Sequence, residues 1–294
     1  MLSYSLGGLP VQISAGSYCN LKEEGKEYDS FLDQNHSGKY IQAKIQIDFK
    51  LSRQYDAEKA AKNKIYSQHQ INLYAAANGG LELQYLKDGK ADILWHLAVD
   101  SEFSIFEFFL SPHDEKKNDC YRLAFNRFFL QHTFINHHGL IIHAAGGSIH
   151  GKGMVFPAVS GTGKSTLSHL LLPFPENQLY SEERIIMRRM NDGWQLWGTP
   201  WKGTGVIARN ESAPLSALVF LSQASQTKIS ELAPSAALRR LLETVSIPWY
   251  SQEWTDKGLA VCESLLLDIP AFELAFRPDQ TAVQAVADLA ALLP

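Results

Sequence analysis

The sequence predicts a chain of mixed α/β (α+β) class, with a β-rich N-terminal domain over residues 1–115 and a mixed-sheet α/β domain over residues 116–294. Three observations carry that prediction. Up to about residue 112 the apolar residues recur mostly with the period of strands. From Met154 to Leu172 a short apolar run passes through a glycine-containing loop into a helix-like stretch stopped by Pro173. The run that feeds this loop, Gly139 to Ala158, reads as two apolar strands around a turn near His150-Gly151-Lys152-Gly153. A loop that follows an antiparallel hairpin belongs to a mixed sheet rather than to a purely parallel one.

In the first domain, Ile41 to Phe49 (IQAKIQIDF) alternates apolar and polar residues, the signature of a strand with one buried face. Leu81 to Leu86 and Ile93 to Leu97 flank Asp88-Gly89, a preferred hairpin corner, and the meander is expected to continue into Phe103 to Leu110. This half carries no paired acids at useful spacing, no glycine cradle and no metal motif, which suits a packing or substrate-presenting domain. Pro112 to Asp119 is polar enough to be a junction, and the aromatic residues from Tyr121 to Phe134 predict a helix. His132, His137 and His138 lack the spacing of a helical zinc site and are expected to be surface or capping residues. Beyond the loop helix the pattern alternates. Strands are expected at Ile185 to Met187, Trp194 to Trp197, Leu215 to Ser222, Ile229 to Leu232 and Ala271 to Phe276. Helices are expected at Ser235 to Val245, near Ala260 to Leu267, and from Thr281 to Leu293.

Composition narrows the partners. With 294 residues, 45% of them hydrophobic, two cores can be buried, and a net charge of −4 gives no electrostatic reason to expect nucleic acid or a membrane surface. Cys19, Cys120 and Cys262 are too far apart for a metal knuckle or a disulfide framework. The opening MLSYSLGGLPVQIS lacks the basic and long apolar regions of a signal peptide, so a cytoplasmic location is expected.

The chemistry concentrates at residues 158–165. Ser160-Gly161-Thr162-Gly163-Lys164-Ser165-Thr166 meets the phosphate-loop pattern except at its first position, where Ala158 replaces glycine and must keep a negative φ. Such a loop turns N–H groups inward at the positive pole of a helix, so it cradles a phosphate chain. Lys164 adds a point charge for the outer phosphates and the Ser165 hydroxyl suits Mg²⁺. Downstream, Glu182 and Glu183 follow a strand, where a phosphoryl transfer needs negative charge for the metal and for the attacking hydroxyl. A solvated strand end is the plainer reading of the same pair. Trp194, Trp197 and Trp201 read as core residues rather than as a base-stacking set.

These residues resemble a known group. SGTGKSTLS at Ser160 to Ser168 is similar to the phosphate loop of ATP-dependent phosphoenolpyruvate carboxykinases, and IIHAAGGSIHGKGMVFPA resembles the His-containing hairpin that they share with HPr kinase/phosphorylases. Leu179 to Glu183 sits where those relatives carry a strand ending in two acids, usually Asp-Asp. Lys202-Gly203-Thr204-Gly205-Val206-Ile207 resembles an Arg-Gly-x-Gly-Ile-Ile element, and PAFELAFRPD resembles the tail of HPr-kinase-related proteins. The likeness covers about residues 120 to 294. Pro200 stands where HPr kinases place a metal-binding Glu, and Lys202 replaces their Arg.

The resemblance implies a mixed-sheet nucleotide domain of carboxykinase/HPr-kinase type and a phosphotransferase using ATP or GTP with Mg²⁺ or Mn²⁺. Its acceptor would be a serine-like hydroxyl on a protein, peptide or small molecule. By position, Glu182 becomes the base, His143 its neighbour or a metal ligand, Ser165 and Glu183 the metal ligands, and Lys164 and Lys202 the charges for transfer. Two alternatives stay open: a nucleotide-binding scaffold or sensor without turnover, and a carboxykinase-like reaction on a small acid. A homo-oligomer is compatible with all three.

Overall fold

A computed structural model describes residues 1–15, 26–32, 45–51, 63–86, 93–110, 123–202 and 207–294. The Asp88-Gly89 corner, residues 41–44 of the first predicted strand, the junction at 112–119 with the expected 115/116 boundary, and Gly203 to Val206 lie outside these. The chain divides into two units: Met1–Ser5 with Leu9–Thr133, and Leu6–Gly8 with Phe134–Pro294.

The first unit is built on an eight-stranded sheet. Its strands are β1 (Leu2–Leu6), β2 (Leu9–Ala15), β3 (Ile45–Leu51), β4 (Lys64–Gln68), β5 (Ile71–Ala75), β6 (Leu81–Leu86), β7 (Ile93–Val99) and β8 (Ile105–Leu110), in the order β1-β2-β3-β8-β7-β6-β5-β4. The alternation in β3 is realised: Ile45, Ile47 and Phe49 are buried while Gln46 and Asp48 share a hydrogen bond. From β4 to β8 the strands form an antiparallel meander, of which β6 to β8 were expected. At the other end, β2–β3 and β3–β8 pair in parallel, so this part is not a continuation of the meander.

The helix α1 (Arg127–Asn136) follows, and the division between the units falls within it. His132, expected at the surface, is fully buried: its ring stacks on Phe103 with centroids 4.4 Å apart and its Nδ1 lies 3.3 Å from the Phe129 carbonyl. Sitting on the inward stripe of an aromatic helix, it packs as an aromatic residue. His138, by contrast, occupies a left-handed turn (φ +53°) after α1, as a capping residue does.

In the second unit two sheets share two long strands. These are β9 (Gly139–Ile149) and β14 (Ser212–Gln223); between them come β10 (Lys152–Pro157), helix α2 (Lys164–Leu171), β11 (Asn177–Ser181), β12 (Arg184–Met190) and β13 (Gly193–Trp197). After β14 come β15 (Lys228–Glu231), α3 (Pro234–Leu242), α4 (Gln252–Asp268), β16 (Ala271–Phe276) and α5 (Gln280–Leu292). The first half of β9 pairs with β12, and its second half with β10 and β11. Likewise β14 pairs first with β13 and then, in parallel, with β10 and β16. The sheet under the glycine loop is therefore mixed, as expected.

Close passage of strands explains two glycines here. A Cβ on Gly147 would sit 2.0 Å from the Gln178 carbonyl, and one on Gly153 2.0 Å from that of Pro214. On one face of the sheet, Ala217, Val219 and Leu221 of β14 join Leu167 and Leu171 of α2 and Val283, Val286 and Leu289 of α5 in one core. Phe220 points to the opposite face, where Arg240 of α3 lies over its ring. Helix α4 begins at Gln252, ahead of the predicted stretch near 260–267. Its first turns are polar and include Gly258, which is close against Ile247, so the apolar period starts late. Trp194 and Trp197 are core residues, as expected.

Candidate functional site

The glycine loop leaves β10 and enters α2. Gly161 (φ +85°) and Gly163 (φ +104°) are left-handed, which an L side chain adopts only at a cost of about 1–2 kcal/mol. Gly161 has open space where a Cβ would stand, whereas a Cβ on Gly163 would come within 2.8 Å of the Phe276 ring. The first glycine is needed for its backbone alone, the second for backbone and packing. Ala158 is not among the non-glycine residues at positive φ, so it meets the condition set by the missing glycine. Thr162 turns its hydroxyl back to the Val159 carbonyl (2.8 Å), and Gln223, at the end of β14, donates its side-chain amide to the Gly161 carbonyl (2.9 Å). Ser160 and Thr166 are exposed and Ser165 is half-buried on the first turn of α2.

The acid pair lies in the turn between β11 and β12. Ser181, wholly buried, accepts the backbone N–H of both Glu183 and Arg184 at 3.3 Å, and Thr199 Oγ1 donates to the Arg184 carbonyl at 2.7 Å. The turn reaches the loop through Lys164, whose Nζ donates to the Glu182 carbonyl oxygen at 2.7 Å. Burial pushes the Lys164 ammonium below its ordinary pKa; the carboxylates of Glu183 and Glu182 oppose that shift, and the Arg184 charge adds to it. Both carboxylates and the guanidinium thus act on the Lys164 ammonium.

His143 joins from β9. In the β9–β12 ladder it stands directly opposite Arg184, and its Nε2 lies 3.6 Å from Glu183 Oε2, while Arg184 Nε lies 3.6 Å from Glu183 Oε1. The backbone of His143 is held on both sides: its N–H donates to the Thr244 carbonyl (2.9 Å) and its carbonyl accepts from Ala158 at the start of the loop (3.2 Å). Glu182 is 6% exposed, so a carboxylate there is largely shielded from bulk water.

Of the residues singled out in the sequence, Lys164, Glu182, Glu183 and His143 form one cluster beside the glycine loop. Lys202 is exposed, and among the described residues no hydrogen bond or ion pair joins it to that cluster. Three contributors had not been singled out: Ser181, Arg184 and Gln223. Arg184 is adjacent to the acids in sequence, and Ser181 accepts from the residues two and three further on, a local serine turn, so both were open to notice; Gln223 acts across 62 residues and leaves no local pattern.

A hydroxyl and a carboxylate oxygen, from Ser165 and Glu183, suit a hard cation such as Mg²⁺, which takes few protein ligands and keeps water and phosphate oxygens for the rest. Among the described residues no group of three or more His, Cys, Asp or Glu side chains is placed to hold a metal ion by itself. No helix among the described residues is long and apolar enough to cross a membrane. In comparisons with known proteins, no family model and no curated protein matches this chain.

Proposed function

We propose that the chain is an ATP-dependent kinase of the HPr-kinase-like group, moving the γ-phosphoryl group to a serine-like hydroxyl on a protein, peptide or small molecule. The observation that carries this reading is the 2.7 Å hydrogen bond from Lys164 to the Glu182 carbonyl, which joins an anion cradle to a turn bearing two carboxylates. Phosphoryl transfer needs just such a set: a phosphate cradle, a site for a cation, and a base for the acceptor.

In the proposed reaction the acceptor's hydroxyl proton passes to a Glu182 carboxylate oxygen as the acceptor oxygen bonds to the γ-phosphorus. The bond from that phosphorus to the bridging oxygen breaks, and its electron pair leaves on ADP. Gly161, Gly163 and Lys164 hold the outer phosphates and His143 orients the Glu183 carboxylate. Mg²⁺ or Mn²⁺, held by Ser165 and Glu183, would supply positive charge to the phosphate oxygens. GTP suits the same cradle.

The test is incubation of the purified protein with Mg²⁺ and γ-labelled ATP against candidate acceptors, beside Glu182→Gln. Label in an acceptor that falls by about 10²-fold or more in the variant is expected for loss of a general base. Tight nucleotide binding without product from either protein would instead identify a scaffold or sensor, the reading to which Pro200 and the exposed Lys202 lend weight. Turnover with a small carboxylic acid in place of a hydroxyl acceptor would identify carboxykinase-like chemistry.

A further inference from the structure

We propose that Gln223 is a positioning residue of the phosphate cradle: its side-chain amide holds the Gly161 carbonyl out of the cradle, so that N–H groups rather than oxygens face the anion. The inference rests on the nucleotide-dependent kinase reading above and adds a residue 62 positions from the loop.

Four observations support it. Gln223 is the last residue of β14, and its amide nitrogen donates to the Gly161 carbonyl at 2.9 Å, a full-strength distance for such a bond. Gly161 is left-handed (φ +85°), and nothing lies within 4 Å of where its Cβ would stand, so packing does not hold this residue and the bond to its carbonyl does. The N–H at the other end of the same peptide, on Thr162, closes a long turn bond of 3.4 Å to the Val159 carbonyl. In the parallel ladder Gln223 is the direct partner of Phe276, whose ring lies 2.8 Å from the place of a Cβ on Gly163. The paired ends of β14 and β16 therefore meet the two left-handed glycines of the loop, one through a hydrogen bond and the other through packing.

The physical argument concerns the direction of one peptide. The Gly161 carbonyl and the Thr162 N–H sit at opposite ends of a trans peptide unit, so tying the oxygen on one side sends the N–H to the other. Next to a glycine such a unit can turn over at little steric cost. Turned over, it would present a carbonyl oxygen where an anion needs a donor, and its dipole would oppose that of the helix behind it. The first helical bond runs from the Leu167 N–H to the Gly163 carbonyl, which leaves the N–H groups of Lys164, Ser165 and Thr166 for a ligand. Gln223 keeps the loop peptide working with these donors. Without it both orientations are populated, and affinity falls with the fraction that can bind.

The experiment needs no knowledge of the acceptor. Binding of Mg²⁺–ADP to the full chain is measured by calorimetry at pH 8 for the wild type, Gln223→Met and Gln223→His. Gln223 is exposed, so neither change disturbs the core, and the urea midpoint of each protein checks this. Methionine keeps the reach of the side chain and removes the donor, whereas a neutral histidine ring can offer an Nε2–H in its place without adding charge. Affinity is expected to fall by about 10-fold in Gln223→Met and to return to within about 3-fold of the wild type in Gln223→His. Amide hydrogen exchange across the loop should quicken in the methionine variant and slow again with histidine.

Equal affinity in Gln223→Met and the wild type overturns the inference. So does a loss that histidine leaves unrepaired, because a donor is then not what the loop requires. In both cases the wild type still binds Mg²⁺–ADP, and nucleotide binding stands. A wild type that binds neither Mg²⁺–ADP nor Mg²⁺–GDP overturns the proposed function itself. Should Gln223→Met not fold, Gln223→Ala takes its place, with the same expected loss and the same refuting result.

Discussion

Lys164 shows how a single residue can set stability against function. Its ammonium is pushed below the ordinary value of 10.5, with burial outweighing the two carboxylates. A lysine with a depressed folded-state pKa binds its proton less well folded than unfolded. Its charge therefore opposes folding at neutral pH, and the opposition fades as pH rises from the depressed value toward 10.5. Lys164→Met keeps the stem and removes the charge. The variant is expected to unfold at the same or a higher urea concentration than the wild type at pH 7, while nucleotide affinity falls by about 10²-fold with the loss of a charge-assisted phosphate contact. Equilibrium denaturation and calorimetry on the same preparation check both halves, and a clear loss of stability would refute the electrostatic account.

At the scale of elements, the turn between β11 and β12 is held less by its acids than by the hydroxyl behind them. Ser181→Ala removes the acceptor of two backbone N–H groups, and the variant should lose about 1–2 kcal/mol in urea denaturation and bind nucleotide more weakly as the carboxylates lose their register. What was legible in the sequence follows the same division between local and non-local causes. The strand, glycine loop and helix are contiguous, as are the hairpin before them and the Glu182-Glu183 pair, so spacing alone located each. The parallel pairing of β2, β3 and β8 is non-local, and alternation within a strand does not say which neighbour it takes. Arg184 faces His143 only once the β9–β12 register is set. The start of α4 was missed because its first turns are polar and its glycine is explained by a contact with Ile247, a residue of the preceding loop. His132 was misjudged because spacing reveals a metal site but not the buried face of a helix that a histidine can share with phenylalanines.

For the whole molecule, the pH response should differ between its two units. Burial lowers the pKa of His96 to about 4 and that of His132 to about 3, and both belong to the unit containing Leu9–Thr133. Their neutral forms are favoured when folded, so their contribution is fully present above the unfolded value of 6.5 and is lost as pH falls from there toward 4 and then 3. Between pH 7.5 and pH 5 the first unit is expected to lose on the order of 1–2 kcal/mol for each histidine. Urea denaturation at the two pH values, followed by hydrogen exchange resolved along the chain, should show the loss at β6 to β8 and α1 more than at β9 to β16. Equal losses in both units would count against these histidines as its source.

The bond from the Ala158 amide to the His143 carbonyl makes the imidazole and the glycine turn two ends of one short lever. If an anion settles in the turn, as the proposed function requires, a shift of the turn is expected to reach the His143 backbone through this bond, even with no contact between anion and ring. On that reading, substitutions on the loop side are expected to be felt at the histidine, and those beside the histidine at the loop, with neither residue itself changed.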